Sequence, residues 1–62
     1  MTLEEASQNI NSAVIYLPKN TTDAKFKEYG IITSVNDSFV FVKYGDDTMS
    51  KATRACDLLF YL

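Results

Sequence analysis

The sequence predicts a mainly β protein: a small five-stranded antiparallel barrel with a short N-terminal α-helix. The chain has 62 residues, which leaves room for one small core and therefore for a single domain over residues 1–62. After residue 11 the apolar pattern changes from helical spacing to runs of β-branched and aromatic residues. Turn-forming residues separate these runs too closely for crossover helices. We therefore expect the N-terminal helix over residues 1–11, with Asn9 or Asn11 as its end point, and a β-barrel over residues 12–62.

The N-terminal helix is predicted from a capping box, Thr2-Leu3-Glu4-Glu5. The Thr2 hydroxyl is placed to accept from the Glu5 amide, and the Glu5 carboxylate is placed to accept from the Thr2 amide. Leu3, Ala6 and Ile10 then form one narrow apolar stripe. Because so short a helix is unstable alone in water, we expect this stripe to dock on the sheet.

The strands are predicted from β-prone runs separated by turn residues. Pro18 ends the first run, and the polar segment over residues 19–27 is predicted to be a loop. Gly45-Asp46-Asp47 is predicted to form a turn, and residues 54–57 a tight or 3₁₀ turn. The five predicted strands cover residues 12–17, 28–35, 38–44, 48–53 and 58–62.

The central hairpin is predicted to turn at Asn36-Asp37, since both residues tolerate positive φ. This register pairs Ile32 with Phe41 and divides the hairpin into two faces. The predicted core face holds Tyr29, Ile31, Thr33, Val35, Val40, Val42 and Tyr44. The other face holds Gly30, Ile32, Ser34, Phe39, Phe41 and Lys43. Because both faces are largely apolar, we expect this hairpin to be covered on both sides, by barrel closure and the helix or by a partner.

The composition excludes several kinds of chemistry. The chain has no His and a single Cys, so it cannot form a His-based catalytic triad, a His-containing metal site or an intrachain disulfide. Asp46-Asp47-Thr48 is interpreted as a solvated turn and not as a cation site, since a cation needs about six oxygen ligands. Cys56 is interpreted as a small buried hydrophobe and not as a reactive thiol. We therefore expect no enzymatic activity, no metal and no cofactor.

The order of loop sizes is typical of an SH3-like barrel: a long first loop, then tight turns, then one 3₁₀ turn before the last strand. The string from Gly30 to Gly45, with Ser50-Lys51-Ala52-Thr53 and Asp57-Leu58, resembles small proteins of unknown function encoded by tailed bacteriophages and prophages. The resemblance covers about residues 12–60, and Ala55-Cys56 departs from the Pro and acid that such proteins tend to carry there. It implies a phage origin, an SH3-like fold and a location in the host cytoplasm, and it brings no catalytic residues.

Nucleic-acid binding is one functional hypothesis. Phe39, Phe41 and Lys43 alternate onto one side of the hairpin, with Lys51 and Arg54 expected nearby, and small barrels bind single strands through aromatic side chains flanked by cations. However, residues 11–62 carry 6 basic and 6 acidic side chains, whereas phosphate binding normally needs a basic surface. This hypothesis is therefore the alternative.

The favoured hypothesis is a protein–protein interaction module. Ile32, Phe39 and Phe41, with Lys43, are predicted to form an apolar patch that the short helix covers only in part. The partner would be a host protein, which the chain would bind or inhibit, or a phage protein; a homodimer would supply buried area that one chain lacks. No secretory signal or membrane segment is expected, because the N-terminus is acidic and no apolar run approaches about 20 residues.

Overall fold

The computed structural model describes residues 1–17 and 27–61, so most of the predicted loop over residues 19–27 lies outside the described residues. The described chain forms one short helix, five strands and one 3₁₀ turn. They are α1 (Leu3–Ser7), β1 (Ala13–Tyr16), β2 (Glu28–Val35), β3 (Val40–Tyr44), β4 (Lys51–Thr53), the 3₁₀ turn (Ala55–Asp57) and β5 (Leu58–Phe60). The mainly β fold class with a short N-terminal helix is confirmed.

The five strands form a single antiparallel sheet in the order β4-β3-β2-β1-β5. Strands β4 and β5 are therefore its edges, and hydrogen bonds between the described strands do not close the sheet into a barrel. With a radius of gyration of 10.6 Å, the sheet and the helix still enclose one core.

The capping box of α1 is confirmed. The Glu5 amide donates to Thr2 Oγ1 at 3.1 Å, and the Thr2 amide donates to Glu5 Oε1 at 2.9 Å. The helix ends at Ser7, earlier than predicted, and Asn11 adopts a positive φ of 74°. Because Asn tolerates this left-handed conformation, the chain turns here towards the sheet, and the Asn11 amide donates to the Ile32 carbonyl at 2.7 Å.

The core lies between α1 and the inner face of the sheet. Its buried members among the described residues are Ala6, Val14, Ile32, Val40, Val42, Tyr44 and Leu58. Within the predicted helical stripe, Ala6 is fully buried and Leu3 packs against the core, as expected. Ile10 lies beyond the end of the helix and remains 40% exposed, so its predicted docking is wrong.

The predicted register of the central hairpin is wrong, because the turn is centred one residue later. Asn36 Oδ1 accepts from the amides of Ser38 and Phe39, at 2.8 and 2.6 Å, and the Asn36 amide donates to the Phe39 carbonyl. Asn36 therefore closes the turn with its side chain, and Asp37 and Ser38 are the two central residues. Val35 consequently pairs with Val40.

A second irregularity lies at Thr33, where the register shifts between Ile32 and Ser34. The Thr33 hydroxyl donates to the Phe41 carbonyl at 3.0 Å and lies 2.6 Å from Ser50 Oγ. An extra residue of this kind is a β-bulge, and it exchanges the two faces of the strand on its far side. Ile32 therefore points inward and pairs with Val42, not with Phe41.

The inward turn of this part of β2 depends on Gly30. A Cβ atom at this position would lie 2.6 Å from Val42 Cγ1, 2.8 Å from the Lys43 carbonyl oxygen and 2.9 Å from Tyr44 Cδ1. Since the Lys43 carbonyl belongs to the hydrogen-bonded neighbouring strand, it cannot move away easily. Glycine therefore lets β2 and β3 pack closely where Tyr44 folds over the core.

The register can be tested by shortening two adjacent isoleucines equally. Ile32→Val should lower the free energy of unfolding by about 0.5–1.5 kcal/mol, because a fully buried methyl group is lost. Ile31→Val should cost less than about 0.5 kcal/mol, because Ile31 is 47% exposed. Urea denaturation with a common m-value measures both. A larger loss of unfolding free energy for Ile31→Val than for Ile32→Val would contradict the bulge and would support the hairpin faces predicted from the sequence.

Candidate interaction surface

The side of the sheet that faces away from α1 carries an apolar surface, which we call the outer face. It consists of Ala13, Ile15, Tyr29, Ile31, Lys43, Leu59 and Tyr61. Four large apolar side chains on it are about half exposed: Tyr29 at 53%, Ile31 at 47%, Leu59 at 54% and Tyr61 at 54%. A molecule of 62 residues thus leaves a contiguous set of large apolar side chains in contact with water.

The strand pairing arranges the outer face in two rows. In the first row, Ile15 of β1 pairs with Leu59 on one side and with Tyr29 on the other. The Gly45 amide donates to the Tyr29 carbonyl at 3.2 Å, so Gly45 ends this row. Gly45 has no side chain, so the surface is open at this end of the row, next to Tyr29.

The second row runs across four chain segments through Ala13. Ile31 pairs with Ala13 on one side and with Lys43 on the other, and the Tyr61 amide donates to the Ala13 carbonyl at 3.0 Å. The rings of Tyr29 and Tyr61 meet edge to face, with centroids 5.4 Å apart and an interplanar angle of 76°, and Ala13 remains exposed in the groove beside them. This geometry is favourable for aromatic pairs and holds both rings in place.

A groove of about 560 Å³ opens on the outer face. Its walls include Tyr29, Ile31, Tyr61 and Lys43, and Gly45 borders it, with no atom within 4 Å of where a Cβ would lie. The groove is therefore mainly apolar, with one cation on its rim. Such a shape is suited to side chains of another protein and offers few polar groups for orienting a small metabolite.

The structure does not bring the four predicted site residues together. Ile32 is fully buried in the core, so it cannot belong to a surface patch. Phe41 is half-buried and pairs with Ala52 of β4, and Phe39 is 40% exposed at the end of the turn. Alternation along β3 puts Phe41 on the same side of the sheet as Lys43, as predicted, but Lys43 is the one of the four that borders the groove.

Sequence reasoning missed Tyr29, Ile31, Leu59 and Tyr61 as surface residues. The first two were assigned to the core face because the bulge at Thr33 was not foreseen. The signal for the other two is present in the last strand, where successive apolar residues must point to opposite sides of the sheet. Leu58 is buried and Leu59 is exposed, in agreement with this alternation.

A second cleft, of about 530 Å³, lies near the 3₁₀ turn and contains Phe39. The rings of Tyr16 and Tyr44 meet there at 6.1 Å between centroids. Its charged lining residues are Glu28, Lys51, Arg54 and Asp57, two acids and two bases. Lys51 lies 3.6 Å from the Asp47 carboxylate. Counted over its described lining residues, the cleft is therefore close to neutral, and these residues do not form the basic surface that phosphate binding needs.

Within this cleft the Tyr44 hydroxyl lies 2.8 Å from Thr53 Oγ1, and both residues are buried. Burial raises the pKa of Tyr44 above its usual 10.0, because the phenolate is poorly solvated there. The hydrogen bond with Thr53 opposes this shift, while the charges of Glu28, Tyr16 and Asp57 add to it. Tyr44 is thus both a member of the core and a lining residue of the cleft, and its hydroxyl is neutral.

The single cysteine is exposed, so its predicted burial is wrong. Residues three apart share one side of a 3₁₀ turn, and Ala55 and Leu58 pack on the core, which directs Cys56 to solvent. The Cys56 thiol lies 3.9 Å from Asp57 Oδ1. The predicted turn at Gly45-Asp46-Asp47 is confirmed by a hydrogen bond from the Asp47 amide to the Tyr44 carbonyl at 2.9 Å.

Within the described ranges, no helix is long and apolar enough to cross a membrane. The same residues contain no group of three or more Cys, Asp or Glu side chains that could hold a metal ion. Comparison of the chain with protein-family models, curated proteins and solved structures finds no match. A functional hypothesis for this chain therefore rests on the geometry and chemistry of its surfaces.

The buried Tyr44–Thr53 pair should make stability sensitive to alkaline pH. In the unfolded chain Tyr44 ionises near 10.0, and in the folded protein it ionises at a higher pH. The contribution of its neutral form is therefore complete below pH 10.0 and is lost as the pH rises through and above that value. Tyr44→Phe should cost about 0.5–1.5 kcal/mol at neutral pH and flatten this alkaline decline. Equal declines in wild type and Tyr44→Phe, measured by urea denaturation, would contradict this account.

The neutral cleft predicts no binding of single-stranded nucleic acid through Phe39 and its neighbours. In a gel shift at low salt, neither DNA nor RNA oligonucleotides should be retarded, because the described residues form no basic surface that would release counterions. The double variant Glu28→Gln/Asp57→Asn, which removes both acids of the cleft, is a control for the effect of charge. A salt-sensitive shift by the wild type that is lost in Phe39→Ala/Phe41→Ala/Lys43→Ala would restore the nucleic-acid hypothesis.

Proposed function

We propose that this chain is a small non-enzymatic phage accessory protein that acts as a protein–protein interaction module. Its contact surface is the outer face, and its partner is a host or phage protein in the host cytoplasm. The phage origin and the location follow from the resemblance of the Gly30–Gly45 string. The binding role has a separate basis in the surface itself.

The observation that carries the binding role is the exposure of four large apolar side chains on one face of the sheet. Two tyrosines and two aliphatic residues share this face, and tyrosine is among the residues that contribute most to protein interfaces. The Tyr29–Tyr61 contact fixes both rings before binding, so little side-chain entropy is lost when a partner docks.

The chemistry of the remaining polar groups supports a role without catalysis. The chain has no His, and its one thiol lies beside a carboxylate. Reactive thiols occur in the opposite surroundings, next to cations or helix N-termini. The groove on the outer face is bordered by apolar side chains and by Lys43, which offers a cation but no nucleophile–base pair.

The proposal predicts that one substitution at the centre of the outer face abolishes partner binding. Immobilised wild type, Ile31→Lys and Met49→Lys would be incubated with bacterial host lysate, and each retained protein would then be purified and its affinity measured directly. Met49 is 77% exposed and is not part of the outer face, so Met49→Lys is the matched control for added charge. We expect a direct partner that binds wild type and Met49→Lys equally and binds Ile31→Lys at least about 100-fold more weakly.

Two results would contradict this proposal. One is a partner that binds Ile31→Lys as tightly as the wild type, which would place the contact elsewhere. The other is retention of no protein that binds directly after purification. Circular dichroism of the three proteins checks that each variant keeps the fold, and Leu59→Ser provides a second substitution on the outer face.

A further inference from the structure

Building on the proposed function, we infer that the outer face binds a second copy of this chain, forming a two-fold symmetric dimer that must dissociate before a different partner protein can occupy the same face. A symmetric dimer uses the same surface on both subunits, so that surface must be complementary to itself. The two rows of the outer face meet this condition. The relevant axis runs parallel to the strands, between β1 and β2, and it brings two outer faces together about 10 Å apart.

The second row shows the complementarity most directly. Its order across the sheet is Tyr61, Ala13, Ile31, Lys43. The two-fold operation reverses this order in the facing copy, so Ile31 stands over the small Ala13 and Lys43 stands over the Tyr61 ring. A large side chain therefore meets a small one, and each ammonium group meets an aromatic ring and not another cation.

The first row follows the same rule. Its order is Leu59, Ile15, Tyr29, Gly45. Reversal places Leu59 over Gly45, where the absence of a side chain leaves open space, and places Ile15 over Tyr29. Each row thus puts one bulky side chain against a small residue, Ile31 against Ala13 and Leu59 against Gly45, and Gly45 borders the groove of about 560 Å³.

The charges also favour a second copy. Lys43 is the single charged side chain of the outer face as defined above, and it lies at one end of its row. An acidic surface on another protein could pair with the Lys43 ammonium group. A second copy of this chain needs no acidic residue for this, because the Tyr61 ring of one copy contacts the Lys43 ammonium group of the other. The two lysines of the dimer then lie at opposite margins, where their mutual repulsion is small.

The area required is consistent with the size of the molecule. A standard interface buries about 800 Å² on each subunit, which is about a fifth of the 4397 Å² surface of this chain. The outer face spans four of the five strands and has four half-exposed large side chains to contribute. Burying them would add to a core that has only seven buried apolar residues among those described.

Sedimentation velocity of the purified full chain over a dilution series, from about 1 mM to about 1 μM, tests the dimer. We expect a concentration-dependent dimer for wild type and Met49→Lys, and a monomer for Ile31→Lys at every concentration. Lys43→Met keeps an unbranched side chain, one atom shorter, but removes the charge, so the dimer dissociation constant should rise about ten-fold, reflecting two lost cation–aromatic contacts. In an isotope-filtered NMR experiment on a half-labelled sample, contacts between copies should join Lys43 to Tyr61 and Ile31 to Ala13.

A wild type that stays monomeric over the whole range would overturn the dimer, and so would a dimer that Ile31→Lys and Leu59→Ser leave intact. The failure of the wider proposal is distinguishable from either result. If the wild type is monomeric and a captured partner no longer binds Ile31→Lys, the interaction module is supported and the dimer is excluded. If the wild type is a dimer but the captured proteins bind Ile31→Lys as tightly as the wild type, self-association is supported and binding of a different protein through the outer face is excluded.

Discussion

The register of the β2–β3 hairpin is the constraint on which the rest of this structure depends. It is set by two local features: the Asn36 side chain, which accepts two backbone amides in the turn, and the bulge at Thr33, whose hydroxyl bonds to the Phe41 carbonyl. Beyond the bulge, alternation along β2 places Ile32 in the core and leaves Ile31 in solvent. The composition of both faces of the sheet therefore follows from the position of one inserted residue.

Much of the fold could be predicted from the sequence, because the relevant signals are local. The capping box at Thr2 depends on residues three apart, and the bounds of β2 at Glu28 and Val35 follow from its β-branched and aromatic composition. The bulge could not be predicted in this way. Thr33 suits a regular strand as well as a bulge, and its hydroxyl partners, Phe41 and Ser50, become neighbours only after the sheet has formed.

The same distinction explains the outcome for the candidate site. The sequence indicated correctly that both sides of the hairpin are rich in apolar residues, and from this an uncovered patch followed. Membership of the patch depended on the register, so Ile32 was assigned to it wrongly and Ile31 was assigned to the core. Lys43 was placed correctly because the bulge lies in β2 and leaves the alternation of β3 regular, with Val40 and Val42 on its inner face.

Small residues give the outer face its shape as much as large ones do. Ala13 lines the groove beside Ile31, and Gly45 leaves a gap at the end of the neighbouring row. Tyr29 and Leu59 are both more than half exposed, so a polar residue at either position would reduce the apolar area of the outer face at little cost to the stability of the core. The fold alone therefore does not require a large apolar side chain at these positions. A short chain gains stability from each apolar side chain that it buries and gains none from those left in water. The exposure of these large apolar side chains, beside the small residues Ala13 and Gly45, is therefore the feature on which the proposed protein contact rests.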